Sequence, residues 1–92
     1  VYLGGRDETR LAELARDLGG KRFRPFPIDL ASLASIEKAS AHLRNETDHI
    51  DLFFANAGVM ATERSTTVDG FETQIGVNHL GHFALTAHLM PL

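Results

Sequence analysis

With 92 residues the chain is at most one small domain, burying roughly 60–65% of its unfolded surface if it folded alone. Its 43% hydrophobic and 23% charged residues are those of an ordinary globular protein, which excludes disordered, collagen-like and low-complexity classes. A net charge of -3 argues against a nucleic-acid or anionic-membrane surface, and the lack of cysteine excludes disulfide frameworks, thiolate metal sites and cysteine nucleophiles.

Val1-Tyr2-Leu3 is apolar and β-favouring and runs into Gly4-Gly5-Arg6, the tail of a strand entering a turn. The chain starts inside that strand without methionine, so a longer polypeptide is expected. Asp7 can cap a helix with Glu8 in its first turn, Leu11, Leu14, Ala15 and Leu18 recur on one face, and Gly19-Gly20 supplies the stop. Phe23 to Ile28 is a second strand candidate, and Pro25 and Pro27 place it at a sheet edge or end it early, because proline cannot donate to a ladder. Asp29-Leu30 follows, then Ser32 as N-cap of a helix with Leu33, Ile36, Ala39 and Leu43 on one face, ending near Asn45 to Asp48.

Ile50, Leu52, Phe53 and Phe54 form a short apolar run without alternation, which suits a central parallel strand covered on both faces. It stops at Ala55-Asn56-Ala57-Gly58. Either small residues let backbone approach a ligand across the strand's C-terminal end, or this is an ordinary Asn-containing turn. Thr62 to Thr67 is polar and reads as a loop bordering that position. Asp69-Gly70 opens the last helix, with Phe71, Ile75, Asn78, His82 and Leu85 near one face and Pro91 at its end. Strand and helix alternate three times. The fold class expected is α/β, a doubly wound parallel sheet.

Arg6, Asp29 and Asn56 fall at or just beyond C-terminal strand ends, where open α/β sheets bind ligands. For a dinucleotide there, a carboxylate suits the free ribose of NAD and an arginine the extra phosphate of NADP; Gly4-Gly5-Arg6 carries no acid before the arginine and favours NADP. Arg6 as a solvated turn residue is the other reading. Asn78 breaks an apolar helix face between Gly76 and Gly81, two residues that weaken a helix unless backbone approaches closely or the helix kinks. Its amide either serves the site above the central strand or is satisfied by a neighbouring loop. No metal site is expected: His79 and His82 have no carboxylate completing their face, and His42, His49 and His88 are scattered. Ser65-Thr66-Thr67 has no histidine and acid at hydrolase spacing.

Asp29-Leu30, Ala55-Asn56-Ala57-Gly58 and Val77-Asn78-His79-Leu80-Gly81-His82-Phe83, in this order and spacing, resemble the short-chain dehydrogenase/reductase family. The Thr67-Val68-Asp69-Gly70-Phe71-Glu72 lead-in is similar to its retinol-dehydrogenase-like and protochlorophyllide-reductase-like branch. The resemblance covers the whole chain and implies that residues 1–92 are an internal part of one NAD(P)-binding Rossmann domain. It implies that Asp29 hydrogen-bonds the adenine with Leu30 beside it, and that Arg6 holds the 2′-phosphate. It also puts Asn56, Ala57 and Gly58 under the adenine-side ribose, with Ala55 replacing a frequent first asparagine. Asn78 matches the helix asparagine whose backbone helps hold a water in the family's proton relay.

By the same resemblance, the glycine-rich phosphate loop precedes Val1 and the catalytic Ser and Tyr-x-x-x-Lys follow Leu92. A strand order of 3-2-1-4 would put a further strand between two of those present. The 92 residues alone are therefore expected to fold poorly and to be inactive. The complete protein is expected to move hydride between NADP(H), with NAD(H) less favoured, and a carbonyl or alcohol substrate, lipophilic by the branch. A non-catalytic nucleotide-binding or interaction protein on the same fold is the alternative. The last helix leaves a homo-oligomer open, no apolar run is long enough to cross a bilayer, and the cytoplasm is the default compartment.

Overall fold

A computed structural model describes all 92 residues. Strand β1 (Tyr2–Gly5) leads to helix α1 (Glu8–Asp17), a short 3₁₀ turn (Gly20–Arg22), strand β2 (Arg24–Pro27) and helix α2 (Leu33–Glu46). After a long irregular stretch the chain ends in one continuous helix, in which α3 (Thr73–Ile75), a wider π turn (Gly76–Gly81) and α4 (His82–Leu89) follow without a break.

β1 and β2 pair in parallel from Tyr2 opposite Arg24 to Gly5 opposite Pro27. The Arg24 and Ile28 N–H groups donate to Val1 and Gly5 carbonyls at 2.8 and 2.9 Å. The period of two then turns Pro25 and Pro27 to the outer edge, where the absent N–H groups leave no donors for an incoming strand.

The two faces of the pair are told apart at adjacent glycines. A Cβ on Gly4 would meet Ile28 and Phe26, whereas one on Gly5 would lie 3.1 Å from Leu11 of α1. Successive strand residues point to opposite faces, so α1 covers one side and the Phe26–Ile28 side takes the other helices. There Phe26, Ile28, Ile36, Ala39, Leu43, Leu85 and Leu89 form a single buried cluster joining β2, α2 and α4. Arg44 Nη1 donates to the His88 carbonyl at 2.7 Å and ties the C-terminal ends of the two helices together.

The expected caps are present: Asp7 accepts from Arg10 N–H and Ser32 from Ser35 N–H. The α1 stripe is buried only in part, at Leu11 and Ala15, because two four-residue strands are too narrow to cover Leu14 and Leu18 as well.

The expected central strand is not formed. Residues 50–54 pair with no strand, and Leu52 and Phe54 are 76% and 79% exposed. A strand persists only with a neighbour to complete its ladder, and the sheet here consists of β1 and β2 alone. The segment is instead pinned at its ends, Ile50 N–H donating to the Leu92 carbonyl and Val59 bonding to Asn78.

The last helix also departs from a simple 3.6-residue stripe. Ile75 is exposed while Gly76, Gly81, His82, Leu85 and Leu89 are buried, since the π turn rotates the residues before it relative to those after it. Thr67, read as loop, is buried, its hydroxyl accepting from the Phe71 N–H at 3.2 Å.

Inside α2 the Ser40 hydroxyl is fully buried and has no hydrogen-bond partner. Replacing it by alanine removes an unsatisfied group, so Ser40→Ala is expected to leave stability unchanged or raise it. Ile36→Ala on the same helix should cost about 2–5 kcal/mol. Urea unfolding of the two variants, made in the full-length protein, checks the contrast.

Candidate functional site

Because the pair is parallel, both strands deliver their C-terminal ends to the same side. Arg6 directly follows β1, and Asp29 lies two residues after β2. Both line one open cleft of about 440 Å³, whose walls include Ser35, Lys38 and His42 of α2.

Asp29 is held by its own loop. Its N–H donates to Ser35 Oγ at 2.9 Å, and its Oδ1 accepts from the Ala31 N–H at 2.9 Å. This local turn orients the carboxylate just ahead of α2. The α2 N-terminus receives a second acceptor from far away in sequence, since Asp69 Oδ2 takes the Leu33 N–H at 2.8 Å. Asp69 therefore serves α2, although in sequence it opens the final helix.

Leu30 joins the cleft to that final helix. A side chain at Gly81 would collide with the Leu30 carbonyl oxygen, so residue 81 must lack a Cβ for the turn after β2 to rest on the helix. At the other end of the π turn, a Cβ on Gly76 would lie 2.7 Å from Thr67 Cγ2. The two glycines flanking Asn78 mark both a close approach and a change of helical pitch.

Asn78 is exposed but fully engaged at its amide: Oδ1 accepts from the Val59 N–H at 2.8 Å, and Nδ2 donates to the Val59 carbonyl at 2.7 Å. The pair imitates a strand neighbour for one residue. Gly58 lies beside it, where an added Cβ would be 3.3 Å from Asn78 Oδ1. Asn56 and Ala57 are exposed just ahead. The structure thus connects Arg6 and Asp29 through a cleft, Leu30 to the last helix through Gly81, and Gly58 to Asn78. Asn56 and Ala57 approach this line only through the chain.

Lys38 and His42 as lining groups were not among the sequence candidates. Their spacing from Ser35, three and seven residues, puts them on one side of α2 and was a usable signal. The Val59 peptide carries no such signal, because any residue could supply it.

Two charged clusters lie elsewhere. His49 is held above its ordinary value by a hydrogen bond to Asp48 and the charge of Asp51, on an exposed loop. Glu72 accepts from the Gln74 and Ile75 N–H groups, both at 3.0 Å, and these bonds hold its carboxyl below its ordinary 4.5.

The comparisons with known proteins bear on the family and the fold. The short chain dehydrogenase family matches residues 1–92. Human retinol dehydrogenase 13 is 42% identical over 94 residues, an alignment covering 98% of this chain and 28% of that protein. A crystal structure from Mycobacterium paratuberculosis superposes with a TM-score of 0.86 at 40% identity, over 99% of this chain and 32% of the other. The Pseudomonas aeruginosa RhlG/NADP active-site complex superposes at 0.81 with 28% identity, over 100% of this chain and 37% of the other. The fold is that of a partial Rossmann-type α/β domain. The chain belongs to the short-chain dehydrogenase family and is of its retinol-dehydrogenase-like kind. It spans less than a third of the length of the human relative.

The Glu72 cap has a pH signature. Its depressed carboxyl contributes stability above the ordinary 4.5 that is lost as pH falls through the depressed value. Glu72→Gln should therefore lower the melting temperature at neutral pH and converge with the wild type in acid, flattening the acid limb of the profile.

Proposed function

We propose that this chain supplies the adenosine-binding side of a single NAD(P)-binding Rossmann domain in an NADP(H)-dependent oxidoreductase. The observation that carries the reading is the placement of Arg6 and Asp29 in one cleft at the ends of adjacent parallel strands. Arg6 follows two glycines, so no acidic side chain precedes it in the chain, and of the acidic groups after it Glu8 shares the cleft wall. Its planar guanidinium suits bidentate capture of that group. The NADP-bound RhlG relative supports the choice of cofactor.

In this reading Asp29, with one oxygen on the Ala31 N–H, offers the other to the exocyclic amine of adenine, and Leu30 packs alongside. Asn56, Ala57 and Gly58 lie under the ribose, where small side chains let backbone come close. The cleft is in the size range of small-molecule sites, roughly 300–1,000 Å³. When bound, the nicotinamide supplies the hydride acceptor or donor. Asn78, its carboxamide occupied by Val59, has its backbone left to position a water for proton movement. The substrate is a carbonyl or alcohol, lipophilic in the manner of retinol, a class supported by the likeness to retinol dehydrogenase 13.

The test is cofactor preference in the full-length protein that carries these residues. Arg6→Ala should weaken NADP(H) binding about 10- to 100-fold, the worth of a hydrogen bond to a charged group, with NAD(H) nearly unaffected. Equal losses for both cofactors would contradict a 2′-phosphate role.

A further inference from the structure

His82 is a buried imidazole directly after the π turn, 9% exposed, and the reading above gives it no task. Its Nδ1 stands 3.1 Å from the carbonyl of Val77, five residues back. A carbonyl only accepts, so Nδ1 carries the proton in this contact. Widening a helix from four- to five-residue spacing takes backbone acceptors off their usual partners, and a side-chain donor can take their place. Asn78 lies inside the turn, between the residue whose carbonyl is captured and the residue that captures it.

We propose that His82 is a positioning residue: by holding the Val77 carbonyl it keeps the turn wide, and the wide turn keeps Asn78 aligned with the Val59 peptide. Relaxing the segment to a regular α-helix changes its register by one residue, about 100° of rotation at 3.6 residues per turn. Such a rotation moves the Asn78 carboxamide off both Val59 bonds at once. The turn is bracketed by its two tight glycine contacts, Gly76 on Thr67 and Gly81 on Leu30, so its ends are fixed while its middle depends on the hydrogen bond.

The structural part stands on geometry alone; its consequence for turnover rests on the proposed oxidoreductase reading. The experiment compares His82→Asn, which can place an N–H near the Nδ1 position, with His82→Gln, whose N–H falls nearer Nε2, and with His82→Leu, which has none. All are made in the full-length protein, and hydrogen exchange at the Val59 amide is read alongside kcat and KM for NADPH. Leu and Gln should lose protection at Val59 by about tenfold or more, the equivalent of one lost hydrogen bond. Both should lower kcat with KM for NADPH little changed, and Asn should restore both readouts. Protection at the Phe26 amide reports that each variant is folded.

Wild-type protection at Val59 in folded His82→Leu would overturn the proposal, as would Asn performing no better than Gln. A wild-type protein without oxidoreductase activity would count against the functional reading only. The exchange pattern would still decide the role of His82.

Discussion

The contact on which the rest depends is the carbonyl oxygen of Leu30 lying against Gly81. It occupies the space a side chain would fill, and it fixes the turn after β2 to the final helix at a separation that no other residue type permits. From that point the buried face of α4 continues as Leu85 and Leu89 into the cluster with Ile36, Ala39 and Leu43. In the other direction the π turn carries Asn78 out to Val59. The strand ends and the last helix therefore share one rigid reference. Displacing the helix would disturb both the loop that holds Asp29 and the clamp beside Gly58.

Much of this was legible in the sequence because it is local. Asp7 and Ser32 are caps whose side chains bond within three residues, and the apolar spacing of α2 follows from a single helix repeat. Pro25 and Pro27 marked an edge strand, and the register shows why: their missing donors are on the outward side. Gly76 and Gly81 flanking an asparagine pointed to close approach or a kink, and the structure has the close approaches, with a π turn between them. The long-range contacts were not legible. The Asp69 bond to α2 spans 36 residues, and the Val59 partner of Asn78 is backbone without a type-specific signal. The apolar run at 50–54 was read as a strand on composition. Composition specifies a tendency to pair, whereas pairing requires a neighbour, and β1 and β2 bond only to each other.

The chemistry rests on the same division of labour. Parallel strands bring Arg6 and Asp29 to one side with no sequence between them tuned for that purpose, and α2 adds Lys38 and His42 to the wall of the cleft. Asn78 spends its amide on structure, its oxygen accepting from the Val59 N–H and its nitrogen donating to the Val59 carbonyl. A side chain that looks functional by residue type thus acts as a strut for the Val59 peptide.

The central claim is that Arg6, Asp29, Leu30 and residues 56–58 form one continuous adenosine-binding rim ending at Asn78. The most direct measurement is an NMR titration of the isotope-labelled full-length protein with adenosine 2′,5′-bisphosphate, which carries the recognised end of the cofactor without its nicotinamide. The account predicts saturable shifts at Arg6, Asp29, Leu30, Ala57 and Gly58, smaller ones at Asn78, and none around Arg44 to Asp48 at the far end of α2. Saturable shifts that leave Arg6 and Asp29 unmoved, or that map to that far end, would contradict it.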